Sequence, residues 1–146
     1  MYAERDRDIL AEFQEKRMKE LKKQMGLKEI TDESLLCKKS KSERMLVHFY
    51  DRRFRRCQEM NAVLEEIAPN YPKIQFLCAE AVKFPFMTEK LEIEQLPYLA
   101  TFSDGYFTGG IIGFQDIGEE QLDRSLLEQY ILQSSLCDKS PAETVQ

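Results

Sequence analysis

The chain of 146 residues contains no uninterrupted apolar run of 18 residues, so nothing in it reads as a membrane-spanning helix. Its first eight residues, Met1 to Asp8, are dense in charge and lack the apolar segment of a secretory leader. Histidine occurs once, at His48, and no cysteine–histidine spacing resembles a zinc site, so no metal is expected. The four cysteines, at 37, 57, 78 and 137, have no short paired spacing and read as reduced thiols of a cytosolic protein. A glycine-rich phosphate loop is missing too, because Gly109-Gly110 falls within an expected strand rather than between a strand and a helix. Basic charge is in deficit: 21 Lys and Arg stand against 26 Asp and Glu, a net charge of −5. That disfavours nucleic acid, whose phosphates must be neutralised by surplus cations. The acid pairs Glu65-Glu66 and Glu119-Glu120 lie on expected helices, without a pocket signal for acid–base work.

What the sequence does hold is enough apolar residue, 42%, to bury the core of one domain without staples. The charge is unevenly spread. Residues 1–56 carry 16 Lys and Arg against 11 Asp and Glu, a net of +5, and residues 57–146 carry 5 against 15, a net of −10. Such a split suits oriented association with a partner, and equally a solvated helix beside an acidic domain surface.

Residues 4–25 lack Gly and Pro, contain acid-to-base pairs four apart such as Glu12 and Lys16, and read as one charged helix. Its apolar stripe, Leu10, Phe13, Met18, Leu21 and Met25, is too narrow for a helix set deep in a core. Thr31 or Asp32 caps a short second helix. Met45–Tyr50, Ile74–Ala79 and Tyr98–Phe102 read as buried strands, and Arg56–Ala68 reads as a helix with Cys57, Met60, Val63, Leu64 and Ile67 on one face. A short helix is expected over Phe86–Leu91. Asp104-Gly105 makes a hairpin turn into a returning strand over Tyr106–Phe114. Gly118–Gln133 reads as the last helix. The expected organisation is therefore a charged helix over 1–25, an α/β domain over 27–134 and a polar tail over 135–146. The domain's mixed parallel and antiparallel sheet has helices on both faces.

Leu46-Val-His-Phe-Tyr50, then Cys57 at a helix start, then Leu96-Pro97 before a strand and an Asp-Gly hairpin, resemble the thioredoxin fold. A thioredoxin carries Trp-Cys-Gly-Pro-Cys where this chain has Arg53-Phe54-Arg55-Arg56-Cys57. The nucleophilic cysteine position is Phe54, the resolving position is Cys57, and Pro97 matches the cis-proline. Three segments narrow the likeness: His48-Phe-Tyr50, Phe84-Pro-Phe86 and above all Gly113-Phe-Gln-Asp-Ile-Gly118. They resemble the phosducin-like proteins, and among them the thioredoxin domain-containing protein 9 branch. The resemblance covers about residues 5–135, although the helical region before the domain is shorter than is usual in the family.

A dithiol cycle needs an attacking and a resolving thiol, and Phe54 removes the first. Cys57 follows Arg52, Arg53, Arg55 and Arg56 near a helix N-terminus, which favours thiolate, whereas the resolving position is commonly buried. The four arginines suit a bidentate grip on carboxylates or phosphates, and equally a solvated loop. The resemblance implies a monomeric, cofactor-free co-chaperone that binds the cytosolic chaperonin and modulates folding of actin and tubulin. It sits in the cytoplasm, with entry to the nucleus left open. The other reading is a single-cysteine thiol redox protein using Cys57. On the first reading Phe13, Arg17 and Leu21 of the charged helix, with Arg52, Arg53, Arg55 and Arg56, form the partner surface. Folding of that helix back onto the acidic half of its own domain is the alternative.

Overall fold

The computed structural model describes residues 9–17, 26–134 and 136. Residues 9–17 form a helix, α1, with Ile9, Leu10 and Phe13 exposed, Phe13 at 68%. The rest of the expected charged helix, including Met18, Leu21 and Met25, lies outside the described residues, as do Cys137 and most of the tail.

From residue 26 the order is β1 (Lys28–Glu29), α2 (Glu33–Ser40), β2 (Met45–Tyr50), α3 (Arg55–Ile67), β3 (Gln75–Glu80), α4 (Pro85–Lys90), β4 (Tyr98–Ser103), β5 (Tyr106–Ile112) and α5 (Arg124–Gln133). The five strands form one sheet in the order β1-β3-β2-β4-β5. β2 runs parallel to β3 and antiparallel to β4, with His48 opposite Cys78 on one side and Leu99 on the other. β2 and β4 are buried at every residue, which is why they read as largely apolar runs, broken only by His48, Thr101 and Ser103, rather than alternating ones.

Alternation along β2 divides the core in two. Leu46 joins Met60, Leu64 and Ile67 of α3 and Leu127 and Ile131 of α5 on one face. Met45, Val47 and Phe49 join Leu36 of α2 and Met87 of α4 on the other. Phe49 meets Phe84 edge to face, with ring centroids 6.2 Å apart. Asp32 caps α2 by accepting from Ser34 N at 3.0 Å. The α4 N-cap is Phe84, which has no capping side chain. Glu33 of α2 supplies one instead, accepting from Met87 N at 2.9 Å and Phe86 N at 3.4 Å.

Four points of the expected organisation need correction. β1 was not foreseen: two charged, exposed residues join the sheet through backbone pairing with β3 alone. The last helix begins at Arg124, capped by Asp123, and not at Gly118. Gly118 has φ +127°, and a Cβ there would lie 1.9 Å from the Gln121 carbonyl oxygen, so this residue makes a tight turn that a helix cannot contain. β5 likewise stops at Ile112 because Gly113 turns to φ +59°, where its N–H donates to the Pro97 carbonyl at 2.7 Å. The segment from Gly113 to Gly118 folds Phe114 and Ile117 into the core. Finally, the packed chain extends past residue 134, since Leu136 is fully buried in the α3–α5 cluster and is not part of a solvated tail.

Candidate functional site at the start of helix α3

The turn from β2 into α3 brings together most of the residues singled out above. Phe54 is the N-cap of α3 in an extended conformation, offers no capping hydrogen bond, and is 45% exposed. Its backbone N–H donates to the Asp51 carbonyl at 3.0 Å. Cys57, one turn on, is 0% exposed and packs with Tyr50 and Cys78. Leu96, the residue before the cis Leu96–Pro97 bond, packs against the same cluster. Burial pushes the Cys57 thiol above its ordinary value, a hydrogen bond to the Asp51 backbone only partly opposing it, and burial pushes Cys78 up to about 11. Both thiols are therefore held protonated and apolar at neutral pH, contrary to a thiolate promoted by the neighbouring arginines.

The arginines do not form a common grip. Arg53 folds back on Asp51 through two bonds of 3.0 and 2.7 Å and holds that carboxyl down at about 2. Arg52 reaches across to Glu80 at the end of β3, at 3.1 Å. Arg55 comes no closer than 3.8 Å to Glu59 on the next turn of its helix. The Arg56 guanidinium lies 5.0 Å from the centroid of the Phe114 ring, a cation–π contact. Phe13 and Arg17 lie on α1, exposed, and the structure does not gather them with this site.

Beneath the turn lies a polar pair of which sequence reasoning gave His48 as a satisfied core histidine but missed the partner, Asn61. His48 is 0% exposed; its Nδ1 is 2.7 Å from Asn61 Oδ1, and its Nε2 has no hydrogen-bond partner. Burial lowers its pKa to about 4, the bond to Asn61 only partly opposing that shift. Asn61 is half-buried on α3 beside the buried Met60 and Leu64, and a polar residue at the edge of that apolar stripe in a chain with a single histidine was the available signal. Tyr50 donates its hydroxyl to Glu29 of β1, and burial together with that carboxylate raises the phenol well above its usual range. Among the described residues no group of three or more His, Cys, Asp or Glu is placed to hold a metal ion, and no helix is long and apolar enough to cross a membrane.

The family model named Thioredoxin matches residues 26–126. Phosducin-like protein 3 of Dictyostelium discoideum is 33% identical over 141 residues, covering 89% of this chain and 76% of its own length. The chain belongs to the phosducin-like proteins of the thioredoxin fold. Thioredoxin domain-containing protein PLP3A of Arabidopsis thaliana is 31% identical over 113 residues, 77% of this chain, and the alignment takes in only 49% of that protein. Thioredoxin domain-containing protein 9 of Rattus norvegicus is 35% identical over 77 residues, covering 53% of this chain and 34% of its own length. Among solved structures, a mutant thioredoxin of Halobacterium salinarum superposes with a TM-score of 0.64 over 80% of this chain and 95% of its own, at 19% identity, which bears on the fold alone. Within this phosducin-like chain, then, the thioredoxin architecture is present, and the exposed ring of Phe54 stands at the mouth of α3, three residues before the buried Cys57.

Proposed function

We propose that the protein is a non-catalytic phosducin-like co-chaperone, which binds the cytosolic chaperonin and modulates folding of actin- and tubulin-type clients. The observation that carries this reading is the replacement at the start of α3. Phe54 stands exposed at the N-cap, which on this reading is the place of the nucleophile, and Cys57 is sealed in the core with its thiol proton held on. A disulfide exchange needs an accessible thiolate, and neither residue supplies one. The fold is thereby left as a binding scaffold. Two features support a protein partner: the exposed Ile9, Leu10 and Phe13 on charged helix α1, and the exposed Phe54 flanked by arginines. Aromatic and arginine side chains are favoured anchors at interfaces. The reading sets the protein in the cytoplasm as a monomer, without cofactor.

Affinity purification of the tagged full chain from cytosol, with mass spectrometry of what it retains, tests the proposal. Recovery of chaperonin subunits is the expected result, reduced in a Leu10→Glu, Phe13→Glu variant whose melting temperature is unchanged. Retention of a thioredoxin reductase without any chaperonin subunit would overturn it.

A further inference from the structure

We propose that the outer edge of β5 takes up an extended segment of another polypeptide as a sixth strand, and that this segment is apolar at its centre and basic at the end meeting the loop after β5. The two edges of the sheet are built differently. β1 presents only two residues, Lys28 and Glu29, both charged, which is the usual protection against unwanted pairing. β5 presents seven, Tyr-Phe-Thr-Gly-Gly-Ile-Ile, with no charge and no proline. Its inner side pairs with β4, and it is the last strand of the sheet. Phe107 and Ile112 are left 44% and 45% exposed, and Tyr106 more so.

The edge is regular where it needs to be. A register shift between Thr101 and Phe102 disturbs the hairpin end, while Gly109 to Ile112 pair without interruption with Thr101 to Tyr98. Gly109 and Gly110 are glycine for an internal reason. A Cβ on Gly110 would lie 2.1 Å from the Tyr98 hydroxyl oxygen, and one on Gly109 would lie 3.4 Å from the Tyr130 hydroxyl oxygen. The two tyrosines thus hold the middle of the strand, and no side chain there obstructs an approaching backbone. Main-chain hydrogen bonds along such an edge supply affinity, and side chains seated beside Phe107 and Ile112 supply selectivity.

Charge selects the occupant. The hairpin before β5 carries exposed Asp104, and the loop after it carries exposed Asp116, Glu119 and Glu120. A second copy pairing antiparallel would bring Asp104 of each molecule beside the 116–120 acids of the other, at both ends of the joint strand. Like charges so placed oppose self-association. A foreign strand with lysine or arginine at the matching end meets attraction instead.

The test uses the full-length, isotope-labelled chain and a synthetic peptide of alternating valine and threonine with lysines at both ends. Amide hydrogen exchange of outward-facing β5 amides is expected to slow by about tenfold or more at saturating peptide, with β1 unaffected. A peptide with glutamates in place of the lysines is expected to bind about tenfold more weakly. Ile112→Lys is expected to weaken binding by a similar factor without lowering the melting temperature. Absence of any slowing along β5 would overturn the proposal, as would equal binding of the two peptides. Protection that grows with protein concentration in the absence of peptide would overturn it in favour of a second copy.

Discussion

Acidification should destabilise this protein through one identifiable group. His48 is the only histidine in the chain, so between pH 7.5 and 5 its titration stands apart from that of the carboxylates. In the unfolded chain the imidazole takes its ordinary value of 6.5, and in the fold burial brings it to about 4. The unfolded state therefore binds the proton first, and stability rises with pH across that window. It is fully present above pH 6.5 and is lost as pH falls towards 4. The difference between the two pKa values corresponds to about 3 kcal/mol below pH 4, of which about 2 kcal/mol is already lost at pH 5 relative to pH 7.5. Geometry gives the same sign: a proton on Nε2 would be a buried donor with no acceptor beside it. Urea denaturation at a series of pH values measures the slope, and the proton resonances of the single imidazole report its pKa directly. His48→Gln can keep a bond to Asn61 without titrating, and its stability should be flat over the same range. A wild-type slope that survives in His48→Gln, or an imidazole titrating near 6.5 in the folded protein, would refute the reasoning.

The remaining expectations concern packing and chemistry. Insulin reduction, followed by turbidity, should not exceed the blank, and Cys57→Ser should lower stability by about 1–3 kcal/mol because it buries a hydroxyl in the Tyr50–Cys78 cluster. Gly118→Ala should cost at least about 2 kcal/mol in a denaturant melt, since a Cβ meets the Gln121 carbonyl at a φ that side chains rarely adopt. Glu33→Ala removes the carboxylate at the start of α4 and should cost about 1 kcal/mol, a fall of about 3–5 °C in melting temperature, whereas Glu33→Gln keeps an acceptor and should cost less.

The central strands were legible because each is short, β-branched or aromatic, and buried on both faces. β2 and β4 show no exposed face, and their few polar residues, His48, Thr101 and Ser103, are buried with the rest. α3 was legible for the opposite reason: Cys57, Met60, Leu64 and Ile67 keep helical spacing against charged neighbours. Where sequence reasoning failed, backbone conformation or distant partners decided the outcome. Gly118-Glu119-Glu120 looks like an acidic first turn, but positive φ at Gly118 and Glu119 bars the helix until Asp123. Lys28 and Glu29 carry no apolar signal, because their pairing with β3 uses only the main chain. At the start of α3, the place of Phe54 at the mouth of the helix, three residues before Cys57, could be read directly from the sequence. The fate of the arginines could not be read that way, since Arg52 finds Glu80 and Arg56 finds Phe114 only after the chain has folded.

Glu33 has a mechanical consequence. Its carboxylate joins α2, which precedes the first long strand, to the start of α4, more than fifty residues later in the chain. The leading segment of the domain is therefore fastened to a helix on the same face of the sheet, far along the chain, by a contact that a pull must break. Tension applied upstream of residue 28, as when a bound object tugs on the leading end, meets the pairing of β1 with β3 first and reaches Glu33 and the opening turn of α4 only once that has parted. That short helix is held otherwise by Met87 and by its own few backbone bonds. The single carboxylate thus acts as a second catch behind the short edge strand, loaded only after that strand has let go.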